Sequence, residues 1–393
     1  MSTLKVDNIR HNSATSDAIT TASDGTCTAK LTDVGGSGLS HRNVLRNGGM
    51  TIHQRGGNTT GINDTQNYFG ADGWYYNNGG AGTVTLSHET DSPDGFSNSI
   101  KVAVTSAGTS SGFAQFYQKL EGQDLQRFAK GTSSAKKFAV SFYIKSKVTG
   151  NFVVDLYDSD NSRSCQQIYT VSQSQTWEKK TVIIPADTTG AWDNDNNASL
   201  QIYWKVFAGD QSGTLHTTWQ AHSTNADRGV GQVNALATNG DYVQITGLQM
   251  EVGDTATSFE HRSYGEVLSR CQRYYYMHHN TSKTGTEGNY RVACLGFSSG
   301  STEVTGHIFF PVTMRANPSI DANSGVVGGI GYWRIGGGSF GGDKYIDGAW
   351  SVASPTTRST RIYATPRTSL SQGVCGYIDG RNTASYMAFS AEL

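Results

Sequence analysis

Charge is scarce in this chain. Asp, Glu, Lys and Arg make up 16% of its 393 residues, against about 25% in an ordinary soluble domain. The 31 basic and 32 acidic residues nearly cancel, and no basic block stands out. Sequence-independent nucleic-acid binding needs clustered Lys and Arg to release counterions, so nucleic acid is not an expected partner. No run of about 20 apolar residues occurs, which argues against a membrane-spanning helix and against membrane insertion. The opening MSTLKVD lacks the apolar core of a signal peptide. The five cysteines, Cys27, Cys165, Cys271, Cys294 and Cys375, are odd in number and far apart. Without a CxxC pair, neither a zinc site nor a disulfide framework is expected, and free thiols fit synthesis in a reducing cytoplasm. The chain also lacks a nucleophile elbow, an HExxH pair, a P-loop and a dinucleotide fingerprint. No catalytic residue, cofactor or metal is therefore nominated, and the chain is read as a non-enzyme. A carboxylate pair for glycoside hydrolysis is set by space rather than by sequence spacing, so a glycan depolymerase stands as a third reading.

Glycine is what the chain has in excess, at 47 residues, while proline numbers six. Ser, Thr, Asn and Gly fill the gaps between short β-branched and aromatic runs, the profile of an all-β protein rich in turns. Alternation predicts strands at Ile100/Val102/Val104, Phe138/Val140/Phe142/Ile144, Phe152/Val154/Leu156, Val182/Ile184, Leu200/Ile202/Trp204/Val206 and Val243/Ile245. One apolar and one polar face per strand suits two sheets packed face to face. The expected fold of residues 43–258 is thus a jelly-roll β-sandwich of the carbohydrate-binding-module kind. No repeat of 20 to 50 residues supports a β-helix.

Residues 243–276 organise the rest. Val243 and Ile245 are in phase, Leu248 and Met250 continue out of phase, and Gly247 marks the change as a bulge would. Apolar or aromatic residues then recur at 264, 267, 268, 271, 274 and 275, which predicts a short helix within a 259–276 linker. Ser263 and Glu266 have capping-box spacing. Such a helix would plug the seam between the sandwich and a smaller distal β-domain, 277–393. Residues 1–42 look different: Leu4, Val6, Ile9 and Ile19 are isolated apolar points that one copy could not bury. They are candidates for trimerisation or docking on a larger assembly.

Three stretches carry a resemblance. Gly247-Leu-Gln-Met-Glu-Val-Gly253, Ala256-Thr-Ser-Phe-Glu260 and Arg270-Cys-Gln-Arg-Tyr-Tyr275 resemble the junction of bacteriophage tail-fibre and receptor-binding proteins. There "GLQLEVG" leads through "ATPFEHRSYGEEL" to "RCQRYY". Residues 43–56 resemble the "NLLINGGMTVAQRG" opening of that family, and 308–318 its "FPVPMRAAPT" run. Met250 and Ser258 depart from the usual Leu and Pro, and Gly73 stands in place of an Arg. The resemblance implies an elongated homotrimer, made in the host cytoplasm and placed on the virion tail. Its N-terminus would dock on phage tail proteins, and its distal part would meet a host surface polysaccharide or protein receptor. A virion structural or adaptor protein without receptor contact is the alternative.

Protein–glycan recognition sets aromatic faces against sugar CH groups, with amides and carboxylates for the hydroxyls. Trp74-Tyr75-Tyr76-Asn77-Asn78 has that content, as does Trp192 in an Asp/Asn turn. Trp333, Arg334, Tyr345 and Trp350, set among glycines in predicted loops, complete the candidate contacts. Trp74 equally suits a core position, and the distal group equally suits packing between chains. The acidic turns at 155–160 and 193–195 lack EF-hand spacing and are read as solvated. His278 and His279 have no third ligand in sequence reach.

Overall fold

A computed structural model of the chain describes residues 6–9, 19–21, 23, 27–29, 40–68, 70–108, 112–280, 291–327, 330–337, 344–380 and 385–393. Three short strands come first, β1 (Asn8–Ile9), β2 (Ile19–Thr21) and β3 (Cys27–Ala29), paired into a small antiparallel sheet. Val6 and Ile9 are exposed there and Ile19 is half-buried, whereas Leu4 lies outside the described residues.

Thirteen strands follow. They are β4 (Thr59–Ile62), β5 (Thr65–Tyr68), β6 (Tyr75–Gly79), β7 (Gly82–Glu89), β8 (Ser99–Ala107), β9 (Phe113–Glu121), β10 (Phe138–Ser146), β11 (Gly150–Asp158), β12 (Arg163–Val171), β13 (Glu178–Ile184), β14 (Ala198–Ala208), β15 (Gln220–Ala221) and β16 (Tyr242–Val252). They form a six-stranded sheet, β13-β10-β16-β8-β7-β4, and a seven-stranded sheet, β15-β12-β11-β14-β9-β6-β5. The chain passes repeatedly from one sheet to the other, so this is an all-β jelly-roll sandwich. The predicted alternation decides which side chains meet inside. Ile202, Trp204 and Val206 of β14 and Phe152, Val154 and Leu156 of β11 face Val140, Phe142 and Ile144 of β10 in one buried cluster. The Trp204 ring meets Trp74 at 5.5 Å and Phe142 at 5.8 Å, both edge to face.

Two motif stretches far apart in sequence are joined here. Val44 N–H donates to the Met250 carbonyl (3.1 Å) and Leu248 N–H to that of Gly48 (3.0 Å). The Asn43 amide closes the pair by bonding Leu248 O and Met250 N. Gly48 is required for this approach, since a Cβ there would lie 2.1 Å from the Leu248 carbonyl oxygen. Gly247 sits at a bulge: the β10–β16 register shifts between Ser141 and Tyr143, and its φ is +66°.

The helix Tyr264–Gln272 follows, with Ser263 Oγ accepting from Glu266 N–H at 3.3 Å. Only half of the capping box forms, because the Glu266 carboxylate binds Arg262 (2.6 Å). Its first turn is open, with Tyr264 66% exposed. The seam is instead closed by the helix end. Arg273 donates to both oxygens of buried Glu121 (2.9 and 2.7 Å), and the Tyr274 hydroxyl donates to the same carboxylate. Beyond it, a seven-stranded sheet from Arg291–Gly300 to Cys375–Gly380 and a three-stranded sheet enclose a second core around Trp333, Ile362, Ile378 and Phe389.

Candidate functional site

The outer face of the seven-stranded sheet carries the polar phase of the strands whose apolar phase fills the core. Cross-strand register sets these residues in rows. Gln66, Asn77, Gln115 and Lys205 stand opposite one another on β5, β6, β9 and β14. Tyr68, Tyr75, Tyr117 and Tyr203 form the next row, which continues into Asp155 of β11 and Gln166 of β12. Successive tyrosine rings lie 4.7 Å apart, at the spacing of neighbouring strands.

A loop segment, 209–235, folds over one end of this face. Gln232 accepts from Val153 N–H (2.8 Å), Asp227 accepts from Thr214 N–H (2.8 Å), and the Thr224 side chain caps the turn Asn225–Gly229. Between that loop and the strands lies a cleft of about 300 Å³. Asn77, Phe113, Gln115, Tyr203 and Lys205 line it from the sheet, and Asp210, Asn225 and Arg228 from the loop. Phe113 sits at the rim and is 38% exposed. The Lys205 ammonium donates to Gln115 Oε1 at 2.6 Å and lies 3.6 Å from Asp155. Arg228 reaches the same carboxylate, Nε donating to Oδ2 at 2.8 Å, with its guanidinium over the Tyr203 ring at 4.6 Å. Burial pulls the Lys205 amine down to about 8, with Asp155 opposing and Arg228 reinforcing the fall. Arg228 stays strongly basic: burial works against its charge, and Asp155 outweighs it. An exposed aromatic edge, three side-chain amides and fixed cations can hold a polar ligand by stacking and hydrogen bonds.

The predicted contacts distribute differently. Tyr75 lies on this outer face, between Tyr68 and Tyr117. Its neighbours Trp74 and Tyr76 point into the core, a correction to their candidacy: Trp74 Nε1 donates to Asn47 O (3.1 Å), and the buried Tyr76 ring packs on Phe116. Trp192 is buried against Phe128 and Trp219 rather than presented by its turn. Trp333 and Arg334 belong to a strand, Trp333–Gly336, not a loop. Trp333 is buried and meets Trp350, itself buried, edge to face at 5.9 Å. Arg334 makes a two-pronged pair with Asp379 (2.8 and 2.9 Å). Of the distal group only Tyr345 is half open to solvent.

The acidic turn at 155–160 is structural too, whereas Asp193 and Asn194 of the second turn are exposed. Asp158 binds Lys130 (2.6 Å) and the backbone of Asp160 and Asn161, so the turn is not merely solvated. Among the described residues, no three His, Cys, Asp or Glu side chains are grouped to hold a metal ion. Nor is any described helix long and apolar enough to cross a membrane.

The sequence reading missed Phe113, Gln115, Tyr203, Lys205, Asn225 and Arg228. A signal for the strand members was present: the polar phases Gln115/Tyr117/Lys119 and Gln201/Tyr203/Lys205 hold amides, tyrosines and lysines on adjacent strands.

No family model matches the chain, and no curated protein does. Among solved structures it is similar to the enzymatically active domain of tailspike protein 4 from bacteriophage CBA120. That match has 13% identity and a TM-score of 0.31, over 53% of this chain and 21% of that one. It is also similar to a CBM4 structure, with 14% identity and a TM-score of 0.29 over 53% and 99% of the two chains. A third is the family 11 carbohydrate-binding module of Clostridium thermocellum in complex with a β-1,3-1,4-mixed-linked tetrasaccharide, with 12% identity and a TM-score of 0.26 over 51% and 97%.

Proposed function

We propose that this chain is a tail-fibre protein that attaches a phage to its host by non-covalent binding of surface glycan in the cleft beside Tyr203. The observation that carries the reading is the combination in that cleft of the exposed Phe113 ring with the amides of Asn77, Gln115 and Asn225. Stacking on the ring would hold a sugar's CH face, and the amides would exchange hydrogen bonds with its hydroxyls. Attachment, rather than glycan binding alone, is supported by the resemblance of residues 43–56 and 247–275 to fibre junctions. A homotrimer docked on the tail through residues 1–42 is part of the proposal. It is supported by exposed apolar residues on the distal sheet, Leu295 (79%) and Phe309 (73%), which sister copies would cover. Single sugar contacts are weak, and several copies would multiply them through effective concentration. Binding is favoured over hydrolysis at this site because the Asp155 carboxylate is engaged by Arg228 and Gln166.

The test is adhesion. Purified protein should bind host cells and block phage adsorption, and Phe113→Ala should weaken binding roughly two- to tenfold, the worth of one aromatic contact of about 0.5–1.5 kcal/mol. Binding unaffected by Phe113→Ala would move recognition elsewhere. Absence of binding, with the distal sheet buried against other virion proteins, would establish a structural or adaptor role. Reducing-sugar release from host polysaccharide would establish a depolymerase.

A further inference from the structure

The charges at the floor of the cleft do not balance. Asp155 is fully buried, and two cations reach it from the cleft side: Arg228 Nη2 at 2.7 Å and Lys205 Nζ at 3.6 Å. The remaining acids nearby are otherwise engaged or in water. Asp227 accepts from Thr214 N–H and Ser223 Oγ and faces His216 at 3.7 Å. Asp210 accepts from Ser212 at the exposed rim, where solvent screens it. The remaining neighbours of Lys205 are neutral, Gln115 Oε1 and the Tyr203 ring. One buried carboxylate thus faces two buried cations, and an unbalanced buried charge is costly until an anion is brought to it.

We infer that the cleft selects acidic glycans, seating a sugar carboxylate against Lys205 and Arg228 while Phe113 takes an adjoining ring face. The inference rests on the glycan-binding reading and deepens it. An incoming carboxylate would gain charge-assisted hydrogen bonds from groups the fold already holds in place, with little ordering left to do. It would also relieve Lys205, whose amine burial now makes easy to deprotonate. A neutral sugar would meet the same amides and ring without that gain.

The experiment is calorimetric titration of the full chain with three probes: oligogalacturonate, a neutral gluco-oligosaccharide of equal length, and dextran sulfate. Oligogalacturonate should bind about tenfold or more tighter than the neutral oligomer, as one charge-assisted bond implies. That preference should shrink between about 50 mM and about 500 mM NaCl. Lys205→Met should bring the ratio of the two affinities close to one. The salt series on the unaltered protein decides the matter if that variant fails to fold. Dextran sulfate binding as tightly as oligogalacturonate would replace carboxylate selection by selection for any anion. Equal, salt-independent affinities, both weakened by Phe113→Ala, would overturn the inference and leave the glycan cleft standing. Failure of all three probes to bind, with host glycans failing as well, would overturn both.

Discussion

At the scale of the residue, Lys205 ties the cleft to stability. Its amine is held near 8 instead of 10.5, chiefly by burial. Below about pH 8 both native and unfolded chains carry this proton. Between about 8 and 10.5 the unfolded chain holds a proton that the native chain has shed, so this contribution to stability rises with pH across that window. At neutral pH the charged amine is a penalty. Urea unfolding at pH 7 and at pH 9.5 should therefore show the unaltered protein gaining on Lys205→Met as pH rises. Buried thiols and tyrosines, common to both proteins, cancel in the comparison. A constant difference between the two midpoints would contradict it. The same residue shows why the site was hard to read in advance. Apolar alternation in Ile202, Trp204 and Val206 announces a strand, and Tyr203 and Lys205 are then taken as its solvent phase. Only the pairing of Lys205 with Gln115, 90 positions away, and the cover supplied by Arg228 turn that phase into a cleft. The opposite error touched Trp74 and Tyr76. Aromatic content suggested a platform, but alternation gives the outer face to Tyr75 alone.

At the scale of the element, local chemistry was legible where a single residue decided the backbone. Gly247 was visible as a phase change between Ile245 and Leu248, and the bulge it makes has a left-handed φ. A Cβ there would lie 2.8 Å from the Phe96 ring and 2.9 Å from the Tyr143 ring. Gly247→Val should cost about 2–4 kcal/mol, combining backbone strain with a clash in packed surroundings. Thermal or urea unfolding would measure it, and a loss below about 0.5 kcal/mol would show that the bulge relaxes freely. The helix Tyr264–Gln272 was legible from its spacing and Ser263, but not its exposure: periodicity marks one face without saying what covers it. The distal strands were the least legible. Glycines break the alternation around Trp333 and Trp350, so the burial of Trp333 depends on pairing with Cys375–Gly380 and that of Trp350 on packing against Trp333, which no local pattern announces.

At the scale of the whole molecule, sandwich and distal unit meet through contacts between residues far apart in sequence. Glu121, at the end of β9, takes Arg273 and Tyr274 from the end of the linker helix. Arg55 lies over the Tyr275 ring at 3.6 Å and binds Glu392 at 3.0 Å. These pairs span 152 and 337 positions, which is why a seam could be expected from sequence while its clasp could not. Burial favours the protonated form of Glu121, but the bonds from Arg273 and Tyr274 prevail and hold its carboxyl below the usual range. Its contribution is therefore complete above the unfolded value, about 4.3, and is lost as pH falls through the lower native one. Glu121→Ala would leave the Arg273 guanidinium and the Tyr274 hydroxyl without their shared acceptor, at about 1–3 kcal/mol. Because the bond joins two cores that are each packed internally, the loss should loosen their union before either core melts. Limited proteolysis should then cut Glu121→Ala at neutral pH in the stretch between β16 and the helix, 253–263, giving two resistant fragments, and should cut the unaltered protein there only under acid conditions. Cleavage scattered through the sandwich would mean instead that Glu121 supports its own sheet rather than the junction.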